Sequence, residues 1–247
     1  MIAGFDPSIT HFGWVLMDES KTGKDAVIKA GVFKTEPSDG LMIQRLIMQR
    51  TRLRAFLIAE NIKFVVMEAP ILQDFSTELL YALNQFMFEV FLELNVFVLY
   101  IQSATWKKIT FPDMNPIDVT KNHSTHLAKN ELDRQGKRFS EHVADAYHLS
   151  KIGLRFYKWY FLHELKDADL APRDYDLFCG KKTYVKGVKK GITEYYGLIY
   201  RENDQFYDFS KHTKKPADII NNIAEEIING GEGKREGQGY LDACRIL

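Results

Sequence analysis

Short apolar runs alternate with longer amphipathic stretches over the first 160 residues of the chain. The short runs predict β-strands, and the turn at 22–25 between the second and third runs predicts an antiparallel meander. The predicted strands span residues 2–6, 12–18, 27–34, 63–68 and 96–100. In the longer stretches apolar residues recur every three or four positions, which predicts helices. The predicted helices span residues 41–60, 76–93, 120–132 and 140–160.

The order of these elements predicts the fold class. Strands come first as a meander and then alternate with helices, which indicates an α/β fold with a mixed sheet. The pattern changes after residue 165, where a polar segment containing proline precedes several hairpin-like runs between residues 183 and 209. We therefore expect a main domain at 1–165 and a smaller C-terminal α+β extension at 166–247.

The composition limits the class of protein. The 247 residues are 45% hydrophobic, which is enough for a substantial core. The 33 basic and 33 acidic side chains cancel, so any contact with nucleic acid depends on local basic patches. Two distant cysteines, Cys179 and Cys244, fit no metal spacing and indicate a reducing compartment. Because no apolar run has the length of a membrane span, we expect a soluble, cytoplasmic protein.

Acidic residues end two of the predicted strands. Asp6 ends the first strand and Glu68 ends the fourth, and an ionised carboxylate among apolar residues is costly unless a partner neutralises it. His142 and Asp145 are three residues apart, so they project from one face near the start of the last helix. Three carboxylates and an imidazole form a ligand set that suits Mg²⁺ or Mn²⁺ and supports two-metal hydrolysis of a phosphodiester.

Each of these residues also has a purely structural interpretation. An acid at the end of a strand is often solvated, and a His–Asp pair in the first turn of a helix complements the helix dipole. The neighbouring Glu141 is interpreted as a solvated acid of the same turn. It is the ordered set of four residues, rather than any one of them, that favours the metal site.

Four short motifs follow one another along the chain: GFDPS at 4–8, FGWV at 12–15, VVME at 65–68 and HVADA at 142–146. Their order and their strand and helix contexts resemble the RuvC-type Holliday junction resolvases of the RNase H-like superfamily. The resemblance covers about residues 1–160 and implies a mixed five-stranded RNase H-like sheet flanked by helices. It also implies that Asp6, Glu68, His142 and Asp145 bind two divalent cations, Mg²⁺ or Mn²⁺, with Asp6 bridging both.

The resemblance further implies that two lysines approach the scissile phosphate. Lys107, or its neighbour Lys108, and Lys121 occupy the corresponding positions. A lysine near the metal ions can stabilise the charge on the pentacovalent phosphate or on the leaving group. The alternative interpretation is that these side chains are solvated loop lysines or contact phosphate without specificity.

Two further features are implied by the same family. The helix after the strand-end Glu helps to form the dimer there, and an apolar wedge opens the junction. In this chain that helix, at 76–93, has a bulky apolar surface that packs against a second copy or against the core, and the core is the simpler interpretation. Ile71, Leu72 or Phe75 has the position of the wedge, or folds onto the core.

A lysine-rich stretch lies in the predicted extension. Residues 181–190 contain five lysines around Tyr184 and no acid. Basic residues interleaved with an aromatic residue suit phosphate contacts and stacking on bases. We expect this stretch to contact DNA, or the extension to support the dimer. The alternative is a solvated hairpin whose alternating lysines form the outer face.

The residues and the resemblance together predict a homodimeric, metal-dependent endonuclease that nicks branched DNA and resolves four-way junctions in a phage or another mobile genome. A dimer is expected because paired nicks in symmetric strands need two sites related by a two-fold axis. No membrane partner or small-molecule cofactor is predicted. The alternatives are a noncatalytic junction-binding protein on the same fold and an actin-like or sugar-kinase-like phosphotransferase. The phosphotransferase would need a second glycine-rich phosphate loop, which the sequence lacks.

Overall fold

The computed structural model describes residues 1–69, 75–133, 140–184, 186–195, 200–201 and 204–209. The strands in these ranges are β1 (Ile2–Asp6), β2 (His11–Met17), β3 (Val27–Lys34), β4 (Phe64–Ala69), β5 (Phe97–Gln102), β6 (Lys181–Thr183), β7 (Thr193–Tyr195), β8 (Tyr200–Arg201) and β9 (Asp204–Tyr207). The α-helices are α1 (Met42–Ala59), α2 (Phe75–Glu93), α3 (Ser103–Thr110), α4 (Lys121–Glu131), α5 (Glu141–Tyr160) and α6 (Pro172–Phe178).

Seven of the strands form one mixed sheet in the order β3–β2–β1–β4–β5–β9–β8. The first three strands of the chain are an antiparallel meander, β4 runs parallel to β1, β5 runs parallel to β4, and β9 runs antiparallel to β5. The prediction of an α/β fold with a mixed sheet is confirmed, and the order and directions of β1–β5 are those of the RNase H-like fold. The predicted count of five strands is too low, because the open edge of β5 pairs with the β8–β9 hairpin of the extension.

Alternation along the central strands divides the hydrophobic core between the two faces of the sheet. Ile2 of β1 and Val66 of β4 belong to the cluster that includes the buried side of α5. Phe5 of β1 is an odd number of residues from Ile2 and therefore points to the opposite face, where it belongs to the cluster with α1 and α2. Asp6 lies an even number of residues from Ile2, as Glu68 does from Val66, so both acids lie on the face that α5 covers.

Helix α2 contributes to the second cluster. Its Met87 and Phe91 are fully buried, and Phe86 and Phe88 pack against the same cluster while remaining partly exposed. The described part of α2 therefore has the core-facing side that the simpler interpretation predicts. Ile71 and Leu72 lie outside the described residues, as does the side chain of Phe75, so the wedge stays a prediction.

Helix α5 approaches β1 and β2 closely at two glycines. A Cβ atom on Gly4 would overlap the carbonyl oxygen of Ala146 and the hydroxyl of Ser150. A Cβ atom on Gly13 would overlap the carbonyl group of His142. The backbone of α5 therefore lies directly on the sheet, and its first turn lies over the end of β1 and the start of β2.

The residues that follow α5, up to residue 211, belong to the same compact unit as the sheet. This compact unit holds residues 1–211. The predicted boundary at residue 165 falls within it, because β8 and β9 complete the sheet that begins at β1. The β6–β7 pair forms a separate two-stranded hairpin at the lysine-rich stretch. Cys244 lies outside the described residues. Within the ranges described, no helix is long and apolar enough to cross a membrane.

The short helix α3 has no counterpart among the predicted elements. Its first residues carry no capping side chain of their own, because Gln102 at the N-cap makes no side-chain cap bond. Asp204 of β9 accepts hydrogen bonds there from the Gln102 amide (2.5 Å) and the Thr105 hydroxyl (2.8 Å). A carboxylate at this end also complements the helix dipole. The extension therefore supplies the cap of a helix that begins about 100 residues earlier in the chain.

Candidate active site

All six residues predicted for the site line one cleft of about 420 Å³. The cleft lies beside the ends of β1 and β4 and is bounded by α3, α4 and α5. We call this set the acidic cleft, and its members are Asp6, Glu68, Lys107, Lys121, His142 and Asp145. The structure thus brings together residues that are separated by up to about 140 positions in the sequence.

The sheet register explains why the two strand-end acids meet. Phe5 of β1 is paired with Met67 of the parallel strand β4, so Asp6 and Glu68 follow at the same level and on the same face. On the other side of β1, Asp6 is paired with Gly13 of β2. Because Gly13 has no side chain, the backbone of His142 lies over it. The imidazole of His142 reaches Asp6 from this position, with Nδ1 2.6 Å from the carboxylate oxygen Oδ2.

Each of the three carboxylates accepts a hydrogen bond from a different element. His142 Nδ1 donates to Asp6, as given above, and the indole Nε1 of Trp106 donates to Glu68 Oε2 at 2.8 Å. The hydroxyl of Ser124 donates to Asp145 Oδ1 at 2.5 Å. The acids are therefore held in place individually, by donors from α5, α3 and α4.

The acidic cleft concentrates negative charge in a buried place. Burial raises the pKa of Glu68 to about 7, and the charge of Asp6 adds to this effect. Burial and then the charge of Asp6 raise the pKa of Asp145 to about 6. Burial also raises the pKa of Asp6, against the lowering effect of the hydrogen bond from His142. Gathering these carboxylates therefore carries an electrostatic cost that a bound cation would relieve.

The donor set fits a hard divalent cation in its chemistry. Mg²⁺ and Mn²⁺ prefer carboxylate oxygens, and an imidazole is compatible with Mn²⁺. In the part of the chain that the structure describes, no group of three or more acidic, His or Cys side chains is arranged to hold a metal ion as it stands. The carboxylates instead accept bonds from protein donors.

The two lysine positions are distinguished by their contacts. Lys107 lines the acidic cleft, and its ammonium lies 5.8 Å from the centre of the Trp106 ring. Lys108 donates instead to the carbonyl oxygens of Pro112 (3.2 Å) and Met114 (2.9 Å). Consecutive helical residues point about 100° apart. Of the two alternatives left by the sequence, Lys107 is the one that faces the cleft.

The second lysine makes an ion pair at the rim of the cleft. Lys121 Nζ lies 2.5 Å from Glu141 Oε1, and the same oxygen is 3.7 Å from Nε2 of His142. Glu141 is partly exposed, as predicted for a first-turn acid, but it also links Lys121 to His142. Its pKa is lowered, first by the hydrogen bond from Lys121.

Sequence reasoning missed the residues that hold the carboxylates. Trp106 lies on the unpredicted helix α3, and Ser124 lies in the middle of α4. Neither has a spacing to Glu68 or Asp145 that a sequence pattern reveals, since both contacts join separate elements. Only the fold identifies them as members of the site.

Comparisons with known proteins gave structural neighbours only. No family model and no curated protein matches the sequence. The chain is similar to Thermus thermophilus RuvC in complex with a Holliday junction substrate, with 18% identity, a TM-score of 0.49, and coverage of 61% of this chain and 89% of that chain. A second structure of RuvC from this organism gives 20% identity, a TM-score of 0.48 and coverage of 61% and 90%. The yeast mitochondrial Holliday junction resolvase gives 15% identity, a TM-score of 0.36 and coverage of 66% and 86%.

Proposed function

We propose that this protein is a Holliday junction resolvase, a metal-dependent endonuclease that nicks four-way DNA junctions. The observation that carries the proposal is the acidic cleft, where three largely buried carboxylates, a histidine and two lysines from five elements meet. The reaction class follows from this donor set, which suits phosphodiester hydrolysis with divalent cations. Branched DNA as the substrate is supported by the order of the four sequence motifs that resemble RuvC-type resolvases.

The carboxylates and the histidine have distinct parts in this proposal. Asp6, Glu68, His142 and Asp145 would hold two Mg²⁺ or Mn²⁺ ions. When bound, the cations lower the pKa of a water molecule and stabilise the charge on the phosphate. His142 also orients Asp6 through their 2.6 Å hydrogen bond.

The lysines act on the phosphate itself. A water oxygen attacks the phosphorus atom, one phosphorus–oxygen bond to the sugar breaks, and the leaving oxygen takes up a proton. Negative charge on the phosphate oxygens and on the leaving oxygen increases during this step. Lys107 and Lys121 lie in the same cleft as the carboxylates and supply positive charge where this negative charge develops.

The proposal includes an assembly and a role for the extension. Two symmetric nicks require two sites, so the active species is a homodimer. Residues 1–165 carry the nuclease site, and the extension at 166–247 contacts DNA. Lys186 and Lys190 are exposed at the tip of the hairpin between β6 and β7, which suits contact with phosphates. We place the activity in the cytoplasm, in the replication of a phage or another mobile genome.

Incubation of the purified protein with labelled DNA tests the proposal. The substrates are four-way junctions, three-way junctions, flaps and linear duplex, each with Mg²⁺ and with a chelator. We expect paired nicks in the four-way junction that depend on Mg²⁺. Asp6→Asn and Glu68→Gln should abolish nicking while junction binding, measured by gel shift, remains.

The matched control is Glu93→Gln, which changes a glutamate on the opposite face of the sheet, in α2. This variant should nick junctions at the wild-type rate. Cleavage of linear duplex alone, or of no substrate, would contradict the proposal. Junction binding by a wild-type protein that never nicks would instead support the noncatalytic alternative.

A further inference from the structure

Two aromatic side chains stack behind the acidic cleft. Trp106 of α3 is 1% exposed and His148 of α5 is fully buried. Their rings are nearly parallel, with centres 6.1 Å apart and an interplanar angle of 14°. We propose that this stacked pair and Ser124 position Glu68 and Asp145 for cation binding. The inference rests on the proposed function and assigns positioning roles to residues that do not themselves bind the cations.

The contact to Glu68 is made by Trp106. Its indole N–H can only donate, and it donates to Oε2 of Glu68 at 2.8 Å. A hydrogen bond to a carboxylate is stronger and more directional than one between neutral groups. The indole ring has little freedom because it is buried and stacked on His148. The bond therefore fixes the rotation of the Glu68 carboxylate, to which the side chain of Ser103 also forms a hydrogen bond.

The contact to Asp145 passes through α4. His148 Nε2 lies 3.0 Å from the carbonyl oxygen of Ser124, and the Ser124 hydroxyl lies 2.5 Å from Asp145 Oδ1. Burial lowers the pKa of His148 to about 4, so the ring is neutral near pH 7. Because the carbonyl oxygen beside Nε2 can only accept a hydrogen bond, the single proton is assigned to Nε2. Donation to Ser124 ties α4 to α5 one turn beyond Asp145. This fixes the position from which the Ser124 hydroxyl reaches the carboxylate.

The stacked pair links the two contacts. Glu68 lies on β4 and Asp145 on α5, and neither element determines the rotation of the other's side chain. The rings of Trp106 and His148 lie nearly parallel to each other. This arrangement links the donor to Glu68 with the turn of α5 that binds the backbone of Ser124. Helix α3 is itself held at its first turn by Asp204, which binds the Gln102 amide and the Thr105 hydroxyl. The Trp106 side chain is therefore braced from the extension as well as from α5.

The other two tryptophans show that core packing alone does not require this bond. Trp14 has a buried Nε1 atom with no hydrogen-bond partner in the described part of the chain. Trp159 donates to Asp167 at 2.9 Å, in an exposed contact that is not part of the acidic cleft. The Trp106 bond differs from both because its acceptor is a carboxylate that faces the cleft. Trp159 also provides a matched control, since its bond has the same chemistry.

The test compares Trp106→Phe, Ser124→Ala and Trp159→Phe with the wild-type protein. Isothermal titration of metal-free protein with MnCl₂ gives the Kd for Mn²⁺, and junction nicking gives the half-saturating Mg²⁺ concentration. Loss of a group that orients a metal ligand typically weakens metal binding by about 10–100-fold. We expect a rise of about tenfold or more in both quantities for Trp106→Phe and Ser124→Ala. Nicking by these two variants should approach the wild-type rate at saturating Mg²⁺, and Trp159→Phe should be unchanged.

The readouts separate positioning from folding and from the proposed function. A variant that merely packs less well lowers the Tm of the metal-free protein without changing the Kd for Mn²⁺, and that result in both cleft variants would overturn the inference. If Trp106→Phe does not fold, Ser124→Ala decides, because it removes a single oxygen atom. A wild-type protein that neither binds Mn²⁺ nor nicks junctions would overturn the proposed function instead.

Discussion

Glu68 and Glu93 are the same residue type in two opposite electrostatic environments. Glu93, near the end of α2, is paired with Arg54 of α1 at 2.6 Å, and this contact lowers its pKa. One turn earlier, Glu89 is paired with Arg50 at 3.0 Å. Glu68 lies instead among other acids, and burial together with the charge of Asp6 raises its pKa to about 7.

The difference separates acids that are each paired with an arginine from acids that are buried close to one another. In the ion pairs between α1 and α2 each glutamate is neutralised by an arginine of the same chain. Each pair contributes little to stability because it is partly exposed. In the acidic cleft burial and the charge of Asp6 raise the pKa of Glu68 and of Asp145, although the charges of Lys107 and Lys121 lower that of Asp145. A fold that gathers buried carboxylates against their mutual repulsion indicates a functional site.

The largest expected effect is on catalysis. Asp145→Asn removes one carboxylate of the acidic cleft while keeping its shape, and Glu89→Gln does the same for the ion pairs between α1 and α2. We expect Asp145→Asn to slow junction nicking by roughly 10³-fold or more, as for loss of a group that stabilises transition-state charge. Glu89→Gln should leave the rate unchanged. Equal rates for the two variants, measured under single-turnover conditions at saturating Mg²⁺, would remove the distinction between the regions.

A smaller catalytic effect is expected for the cationic residues. Lys121→Met removes the ammonium at the rim of the cleft, and we expect a loss of about 10²-fold in nicking rate because one electrostatic stabiliser of the phosphate is removed. Mn²⁺ affinity should change little, since Lys121 is not a ligand. Arg54→Met removes a cation between α1 and α2 and serves as the control with an unchanged rate. A proportional loss in both variants would indicate a general effect of charge instead of a specific contact.

The smallest effect is on stability, and its sign should differ between the two glutamates. The folded-state pKa of Glu68 is raised, so the metal-free protein loses stability as the pH rises from about 4.5 to about 7. At pH 8 we expect Glu68→Gln to be more stable than wild type by roughly 2–3 kcal/mol, a Tm increase of roughly 5–10 °C. This gain should vanish near pH 4, where Glu68 of the wild-type protein is protonated.

Glu93 provides the opposite case. Its folded-state pKa is lowered, so its contribution to stability is present above the unfolded pKa and is lost as the pH falls. Glu93→Gln should therefore be less stable than wild type at pH 8, by at most about 1 kcal/mol. Thermal unfolding of both variants from pH 4 to pH 8 measures the slopes. If the Tm difference from wild type changed with pH in the same way for both variants, the two environments would not differ. Added Mg²⁺ should reduce the stability advantage of Glu68→Gln and leave Glu93→Gln unaffected.

Local patterns were sufficient for most of the central sheet and for the long helices. The predicted strands and helices of residues 1–160 agree with the structure to within about two residues at their ends. Side-chain burial repeats with the period of the element, so a strand or an amphipathic helix is visible in its own sequence. The acids at the ends of β1 and β4 were also identifiable locally, because each of them interrupts a run of apolar residues.

Contacts between distant residues were not predictable in this way. Helix α3 is short, and its cap is Asp204, about 100 residues further along the chain. The choice between Lys107 and Lys108 depended on how α3 is rotated against the cleft. The pairing of β9 with β5 depended on an open backbone edge, which carries no side-chain pattern.

The sequence by itself determined five of the seven strands of the main sheet and singled out Asp6, Glu68, His142 and Asp145 as candidates, because each of these signals lies within one short segment of the chain. The tertiary structure decided what those positions contact. It brought the backbone of His142 against Gly13, and it formed the hydrogen bonds from Trp106 to Glu68 and from Ser124 to Asp145. These contacts join residues from separate elements, and their energies depend on packing and burial that no single segment of the chain contains.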